Sequence, residues 1–471
     1  MQGAMAFQDN QPLLGLCPIG KFVFSNEDAV RHKQLLQRQL SEWQVRYVDL
    51  EGVLEDGLVK DQSQVDGVVA HFQRAGVDCL FVPHCNFGTE GAVGMIAKRL
   101  GLPTLLWGPR DDAPLPDGRR LRDTLCGLFA SSKVLYKLGV PFMYIENCRP
   151  DEPALRRGVD TFLRAVNVAN ALRKGMRIGL IGQRIDFFWS TIVNESELLQ
   201  RFNVEVRPFD MVEFIQAAQE RAQATRNAYL QEVKDLRQRY LVEGLEDDAF
   251  INVLSVRDQM LALAAEHGLE GIAFQTFMSV IHAAGAYCIY AESQVAERYP
   301  FALESDIHGV ISAALLRRAT FNQQPAFLAE FTVRHPTRDN AVLIWHAGAP
   351  VSLCHPDERV RIGHHWILPS PLSGMLHFRM QDGPLTLARF DGDFGRYQLA
   401  VGEGQTVAGP PTLNNYVWME VDNWPRWERT LIEGPFIHHC AMAYGHYGEA
   451  LEQACKFIPG LEPVRLDRPD S

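Results

Sequence analysis

Up to residue 172, short apolar runs alternate with amphipathic stretches, the pattern of parallel strands joined by crossover helices. The runs at Leu14–Leu16, Val45–Leu50, Cys79–Val82, Thr104–Trp107 and Phe142–Ile145 read as strands. Between the third and fourth, GTEGAVGMIAKRL reads as a helix, with Glu90 near its start and Lys98 and Arg99 near its end, where each charge complements the helix dipole. A second series opens after ALRKG. MRIGLIGQ and VEVRPFD read as strands separated by the helical NESELLQRF, and EGIAFQTF as a further buried strand ahead of the small-residue helix HAAGAYC. The stretch Ala217–Val242 is rich in Gln, Arg, Glu and Lys and poor in aliphatic residues, which predicts one long, solvated helix. From Ala341 the texture changes to β-type runs (VLIWHAG, GMLHFRM, GPLTLARF, GRYQLAVGEG, NYVWMEV) broken by Gly, Pro and Asp, the pattern of an antiparallel barrel or sandwich. GEALEQACKFI then returns to helical spacing, and PVRL reads as a last strand. The expected class is α/β: Rossmann-like parallel-sheet lobes at 1–172 and 173–340, followed by a C-terminal antiparallel β-rich, barrel-like domain at 341–471.

Length and composition agree with that division. A chain of 471 residues exceeds one ordinary hydrophobic core, and 46% hydrophobic with 22% charged residues is the balance of a globular protein. The formal net charge of -11, with no basic stripe to interrupt it, argues against nucleic acid and anionic membranes as partners. The nine cysteines show no C-x-x-C spacing, which points to a reducing compartment. No secretory leader pattern opens the chain, and no run approaches the roughly 20 apolar residues of a spanning helix, so the expected location is the cytoplasm. IGLIGQ has only Gly179 and Gly182 and lacks the G-x-G-x-x-G spacing of a dinucleotide loop, and neither a G-x-S-x-G elbow nor a P-loop occurs.

The candidate chemistry lies in the second half, where ten of the fifteen histidines fall beyond residue 300. Carboxylates suit hard divalent cations, and added imidazole shifts the preference towards Mn²⁺, Co²⁺ or Zn²⁺. Glu304, in FALESDIHG, stands where an apolar run ends and Ser305 or Asp306 can cap the helix GVISAALLRR. Such a position lies at the carboxyl edge of a parallel sheet, where ligands bind, although a second capping acid reads equally well. Glu330, in PAFLAEFTV, is an acid in an apolar strand context, which must be paired, hydrogen-bonded or metal-bound unless it simply faces solvent. His346 ends the run AVLIW, where a satisfied core histidine is the ordinary reading. His438 and His439 are adjacent, and alternation on an extended segment sends only one of them towards a shared site. The doublet His364–His365, and His308 four residues after Glu304 on one helical face, are alternatives that the residues themselves leave open.

Four of these fragments, in this order and with these contexts, resemble the L-fucose isomerase and L-arabinose isomerase superfamily. ALESDIHG resembles the family's first ligand glutamate, FLAEFT its second acidic ligand, LIWHAGAP its ligand histidine and GPFIHHC the His-His of the arabinose type. CNFGTEGAVGMIAKRLGLPTLLWGPRDD with DTLCG looks like the N-terminal segment of fucose-isomerase-related proteins. The resemblance implies Glu304, Glu330, His346 and His439 as ligands of Mn²⁺ (or Co²⁺ or Mg²⁺), with Glu304 and Glu330 also acting as acid and base and His438 beside the site. It implies two Rossmann-like lobes with a β-rich domain, and homo-oligomers, usually hexamers, with active sites near subunit interfaces. The implied reaction is aldose–ketose isomerisation of a free pentose, 6-deoxyhexose or 6-modified hexose through an enediol. The alternatives are a non-catalytic sugar-binding or regulatory protein on the same scaffold, or an epimerase or lyase using the same enediol. Phe187, Phe188, Trp189, Gln275, Phe277 and Met278 occupy loops where the family lines its sugar pocket, with packing the alternative role for each aromatic, and Arg184 and Arg110 stand in corresponding loops facing a substrate's distal, even anionic, end.

Overall fold

The computed structural model describes residues 11–277, 279–366 and 371–468. Two compact units emerge, Met1–Ala169 and Asn170–Ser471.

In the first unit, β1 (Leu14–Leu16), β2 (Tyr47–Val48), β3 (Cys79–Pro83), β4 (Thr104–Trp107) and β5 (Phe142–Tyr144) form one parallel sheet in the order β2-β1-β3-β4-β5. Its middle strands are apolar on both faces because helices cover the sheet. Leu80 and Val82 share a buried cluster with Phe72 of helix Val65–Ala75, Val93 and Ile96 of helix Glu90–Leu100, and Leu128 and Leu135 of helix Thr124–Lys137. The helix Glu90–Leu100 stops at Gly101, whose φ of 61° is the left-handed conformation that glycine adopts without strain.

The second unit opens with another parallel sheet. β6 (Met176–Ile181), β7 (Val204–Phe209), β9 (Gly271–Phe274) and β10 (Phe301–Ala302) run in the order β10-β9-β6-β7, while the two-residue β8 (Leu241–Val242) joins a different sheet. The segment expected as one solvated helix is two, Met211–Ala224 and Arg226–Arg239, divided at Thr225. They bury Phe214, Ala218, Ala222, Tyr229, Val233 and Leu236 against helix Asp247–His267, so a narrow apolar stripe packs beneath a charged exterior.

The remaining strands are β11 (Phe327–Arg334), β12 (Ala341–His346), β13 (Arg361–His364), β14 (Ser373–Arg379), β15 (Pro384–Asp393), β16 (Arg396–Val407), β17 (Asn415–Glu420), β18 (His439–Tyr444) and β19 (Leu461–Arg465). With β8 they form a ten-stranded sheet, β19-β16-β15-β18-β11-β12-β17-β14-β13-β8. An added β16–β17 pairing closes β16-β15-β18-β11-β12-β17 into an antiparallel barrel. A boundary at residue 340 would separate the hydrogen-bonded neighbours β11 and β12, so Glu330 belongs to the β-rich layer and not to the parallel-sheet lobe assigned to it from sequence. One continuous buried cluster joins Ile272 and Phe274 of the parallel sheet to Phe327, Ala329, Ile344, Met419 and Met442 of the barrel.

At Gly374 the backbone takes φ +113°, and a Cβ there would lie 2.2 Å from the carbonyl oxygen of Tyr287, whose N–H donates to Ser373. Backbone faces backbone, so neither side can yield. Gly374→Ala is expected to cost roughly 2 kcal/mol or more, read as a lowered urea midpoint by circular dichroism, with Gly118→Ala, whose added Cβ meets nothing within 4 Å, as the milder control.

Candidate metal centre

Three strand ends of the second unit's parallel sheet deliver loops to one edge. After β10 the chain turns sharply, and Glu304 and Ser305 both take left-handed φ values of 61° and 58°. Non-glycine residues hold that conformation at a cost of order 1–3 kcal/mol each. The turn is pinned by Ser305 N–H donating to Phe274, Asp306 N–H to Leu303, and Ser305 Oγ to the carbonyl of Gln183. Asp306 then caps helix Ile307–Ala319 by accepting from Gly309 N–H. The strained turn is what lifts the Glu304 carboxylate off the sheet edge.

The barrel supplies the rest. Glu330 on β11 is the direct register partner of His439 on β18 and of Trp345 on β12, with His346 the last residue of β12. Side chains that are directly opposite project from the same face of a sheet, so pairing alone places Glu330 and His439 together. The structure gathers Glu304, Glu330, His346 and His439, each with one ligand atom within 4.8 Å of all the others. His439 Nε2 lies 3.3 Å from Glu304 Oε2 and 3.6 Å from Glu330 Oε1, and His346 Nε2 lies 3.7 Å from the same Glu330 oxygen.

This group fits a divalent cation. Among the described residues, the Nε2 atoms of both histidines are buried with no hydrogen-bond partner, an arrangement that is costly unless something else accepts their lone pairs. Two carboxylate oxygens and two imidazole nitrogens are the donor set that suits Mn²⁺ or Co²⁺. Behind the site, His439 Nδ1 donates to Asp306 Oδ2 at 2.9 Å, which directs Nε2 inward. His346 differs, since its Nδ1 accepts from Ala347 N–H at 2.7 Å; binding a cation at Nε2 requires the ring proton to move to Nδ1, at the expense of that hydrogen bond.

The electrostatics follow from burial and close pairing. Burial pushes the Glu330 carboxyl up, but His346, His439 and His438 outweigh it and hold the group at about 2. Burial resists ionisation of Asp306 as well, yet Arg389 and His439 keep it well below the usual carboxylate range. His439 is driven the other way: burial disfavours its charge, while its hydrogen bond to Asp306 and the nearby carboxylates of Glu304 and Glu330 raise its affinity for a proton well above the ordinary imidazole value.

The other candidates fall into place around this centre. His438 precedes β18 and is half exposed, yet its Nε2 also reaches 3.6 Å from Glu330 Oε1. Alternation therefore sends only His439 into the buried cluster, with His438 at its open side. His308 lies outside this cluster: its Nδ1 is 3.1 Å from Asp391 Oδ1, and its ring meets Phe390 edge-on. The doublet His364–His365 stands apart, with His364 exposed and His365 beside Tyr287. Gln275 and Phe277 are half-buried in the loop after β9, where Gln275 packs against Gly182 of the loop after β6, while Met278 lies outside the described residues. In that second loop Phe187 is 65% and Trp189 73% exposed, and Phe188 meets Phe187 edge-on at 4.9 Å. Arg184 is tied down locally, its Nη1 donating to the carbonyls of Ile185, Asp186 and Phe188. Arg110 is an exposed side chain of the first unit. Asp306, Arg389 and Asp391 were not singled out as site residues from sequence, although charges two apart in the apolar strand LTLARFDGD are the kind of buried polar signal that Glu330 displayed.

Comparison with known proteins identifies the family. Residues 15–173 match the fucose/sulfoquinovose isomerase N-terminal domain, and residues 372–459 the L-fucose isomerase C-terminal domain. A sulfoquinovose isomerase of Priestia megaterium is 24% identical over 446 residues, covering 92% of this chain and 95% of that one. Another, of Alkalicoccus urumqiensis, is 25% identical over 340 residues, covering 72% of this chain and 74% of its own. Among solved structures, a D-allose-bound periplasmic solute-binding protein of Actinobacillus succinogenes matches 66% of this chain and 92% of its own at 16% identity, with a TM-score of 0.18 that carries no argument about fold. With both domain models matched in order and a curated relative aligned along nearly its full length, the chain belongs to the fucose isomerase-related family.

Proposed function

We propose that this protein is a metal-dependent aldose–ketose isomerase that acts on a free, 6-modified aldohexose of the sulfoquinovose type through an enediol. The observation that carries the reading is the convergence of Glu304, Glu330, His346 and His439, two carboxylates and two imidazoles drawn from a strained loop and three barrel strands. The names of the relatives support the substrate class.

Isomerisation removes the proton from C2 of the open-chain sugar, moves a proton from O2 to O1, and returns a proton to C1. Glu304, Glu330, His346 and His439 would hold the cation, and a divalent ion there supplies positive charge that stabilises oxyanion character at O1 and O2. Glu330, ionised far below neutral pH, fits the acceptor of the C2 proton. Glu304 stands on the facing loop, 3.3 Å from His439, and fits the group that exchanges a proton with the oxygens. Half-exposed His438 lies at the open side, within reach of a bound hydroxyl. Phe187, Phe188, Gln275 and Phe277 line the two neighbouring loops, where aromatic faces offer apolar contact to a sugar ring.

A further carboxyl conditions this site. Glu292 on helix Ile289–Ala296 is fully buried, with Thr276 Oγ1 3.2 Å from its Oε2 and, among the described residues, no partner at Oε1. Burial pushes its carboxyl up to about 8; the Thr276 hydrogen bond opposes that, and the charge of Glu304 adds to it. A neutral acid there avoids adding another negative charge beside Glu304.

Two outcomes are expected. Incubated with Mn²⁺ and a panel of free aldoses in deuterated water, the protein should yield a ketose carrying deuterium at C1. Chelator should abolish turnover, and Glu304→Gln and Glu330→Gln should each lower it by at least ~10³-fold; NMR that shows a C2 epimer, or bound sugar without product, overturns the isomerase reading. For Glu292 the folded value lies above the unfolded one. Its contribution is therefore fully present below about pH 4.5 and is lost as pH rises through about 8. In the metal-free protein, Glu292→Gln should flatten the fall in melting temperature between pH 5 and 9, as followed by scanning calorimetry.

A further inference from the structure

Arg389 lies on β15 and is only 2% exposed, which makes it one of the largest side chains to be fully enclosed. An arginine in such a place needs partners for its nitrogens, and here two aspartates give each of the three an acceptor. Its Nη1 and Nη2 donate to Asp306 Oδ2 at 2.5 Å and Oδ1 at 3.3 Å, and its Nε donates to Asp391 Oδ2 at 2.9 Å. Asp391 in turn accepts from Gly392 N–H and holds His308 Nδ1. On the other side, the Asp306 oxygen that takes Arg389 Nη1 also takes His439 Nδ1. A continuous buried chain thus runs His308, Asp391, Arg389, Asp306, His439, from helix Ile307–Ala319 through β15 to β18, and ends at the ligand cluster.

A buried ion pair is weak evidence for stability, because desolvation offsets most of the attraction, and an apolar replacement of similar shape often does as well. The retention of three buried charges in a row therefore calls for another reason, and the hydrogen-bond directions supply it. Guanidinium has only donors and stays protonated, so Asp306 between Arg389 and His439 must accept from both. The only donor the imidazole can present to it is Nδ1–H, which leaves Nε2 directed at Glu304 and Glu330. The fork of Arg389 also fixes the plane of the Asp306 carboxylate, and through it the tilt of the His439 ring. We propose that Arg389, braced by Asp391 and His308, is a positioning residue that sets the tautomer and orientation of His439 and thereby the affinity of the site for its divalent cation. This rests on the functional reading above and adds to it a residue about 80 positions away in sequence from Asp306.

The test uses Mn²⁺ alone as the probe, titrated calorimetrically into the full-length metal-free protein, with kinetics alongside. Arg389→Lys keeps the charge but loses the fork, and Asp391→Asn keeps the shape but loosens the brace. Arg389→Lys is expected to weaken Mn²⁺ binding about 10- to 100-fold and Asp391→Asn several-fold. Excess Mn²⁺ should restore most of kcat while KM for the sugar stays near that of the parent, a split that a general loss of packing would not give. If Arg389→Lys does not fold, the Asp391→Asn titration decides alone. Parent-like Mn²⁺ affinity in the folded variants overturns this inference and leaves the functional reading standing. Absence of Mn²⁺ binding by the parent protein overturns both.

Discussion

Negative charge gathered out of water is the constraint on which the rest of the second unit depends. Glu304, Glu330 and Asp306 meet where solvent barely reaches, and a carboxylate left unpaired there would cost several kcal/mol. The surrounding structure compensates in layers. His439 and His346 face Glu304 and Glu330, Arg389 neutralises Asp306 from behind, and the donor set left at the centre fits a divalent cation. Glu292 follows the same logic by staying protonated, since an additional charge beside Glu304 would have no partner.

That arrangement requires two architectures at once. A parallel sheet ends its strands at one edge and can present a loop there, which is how Glu304 arrives, but its backbone must bend into left-handed conformations to lift the side chain. An antiparallel barrel gives register instead. Because β11, β12 and β18 are hydrogen-bonded neighbours, Glu330, His346 and His439 are held by ladders that cannot slip without turning every side chain to the other face. The single core that joins the two layers holds the loop and the ladders together.

The apolar runs were enough to read most of the strands, although β8, β13 and β18 were not among them; the barrel strands β12, β15, β17 and β18 are buried on both faces, as the parallel ones are. Of the four cluster residues, Glu330 stood out as an acid in an apolar setting, while a capping acid and a core histidine were the ordinary alternatives for Glu304 and His346; resemblance to a family selected the set. Local reading failed where the partner was remote. The Gln- and Arg-rich stretch looked solvated because its stripe of Ala, Val and Leu is narrow, and only the helix packed against it shows that stripe to be buried. Glu330 was assigned to the parallel-sheet lobe because chain order alone does not reveal that β11 pairs with β12 and β18.

By itself, then, the sequence determined the elements, the α/β class and the kinds of side chain available for chemistry, since each follows from periodicity and from the cost of burying a charge. Which of several histidines and acids share one site was decided by strand register and by a single strained turn, contacts between residues more than a hundred positions apart. His308 shows the difference. Four residues after Glu304, where a continuous helix would put both on one face, it reads locally as a ligand, yet Glu304 sits in a turn ahead of the helix, and the tertiary structure turns the Nδ1 of His308 to Asp391 and gives the place beside Glu304 to His439 on another strand.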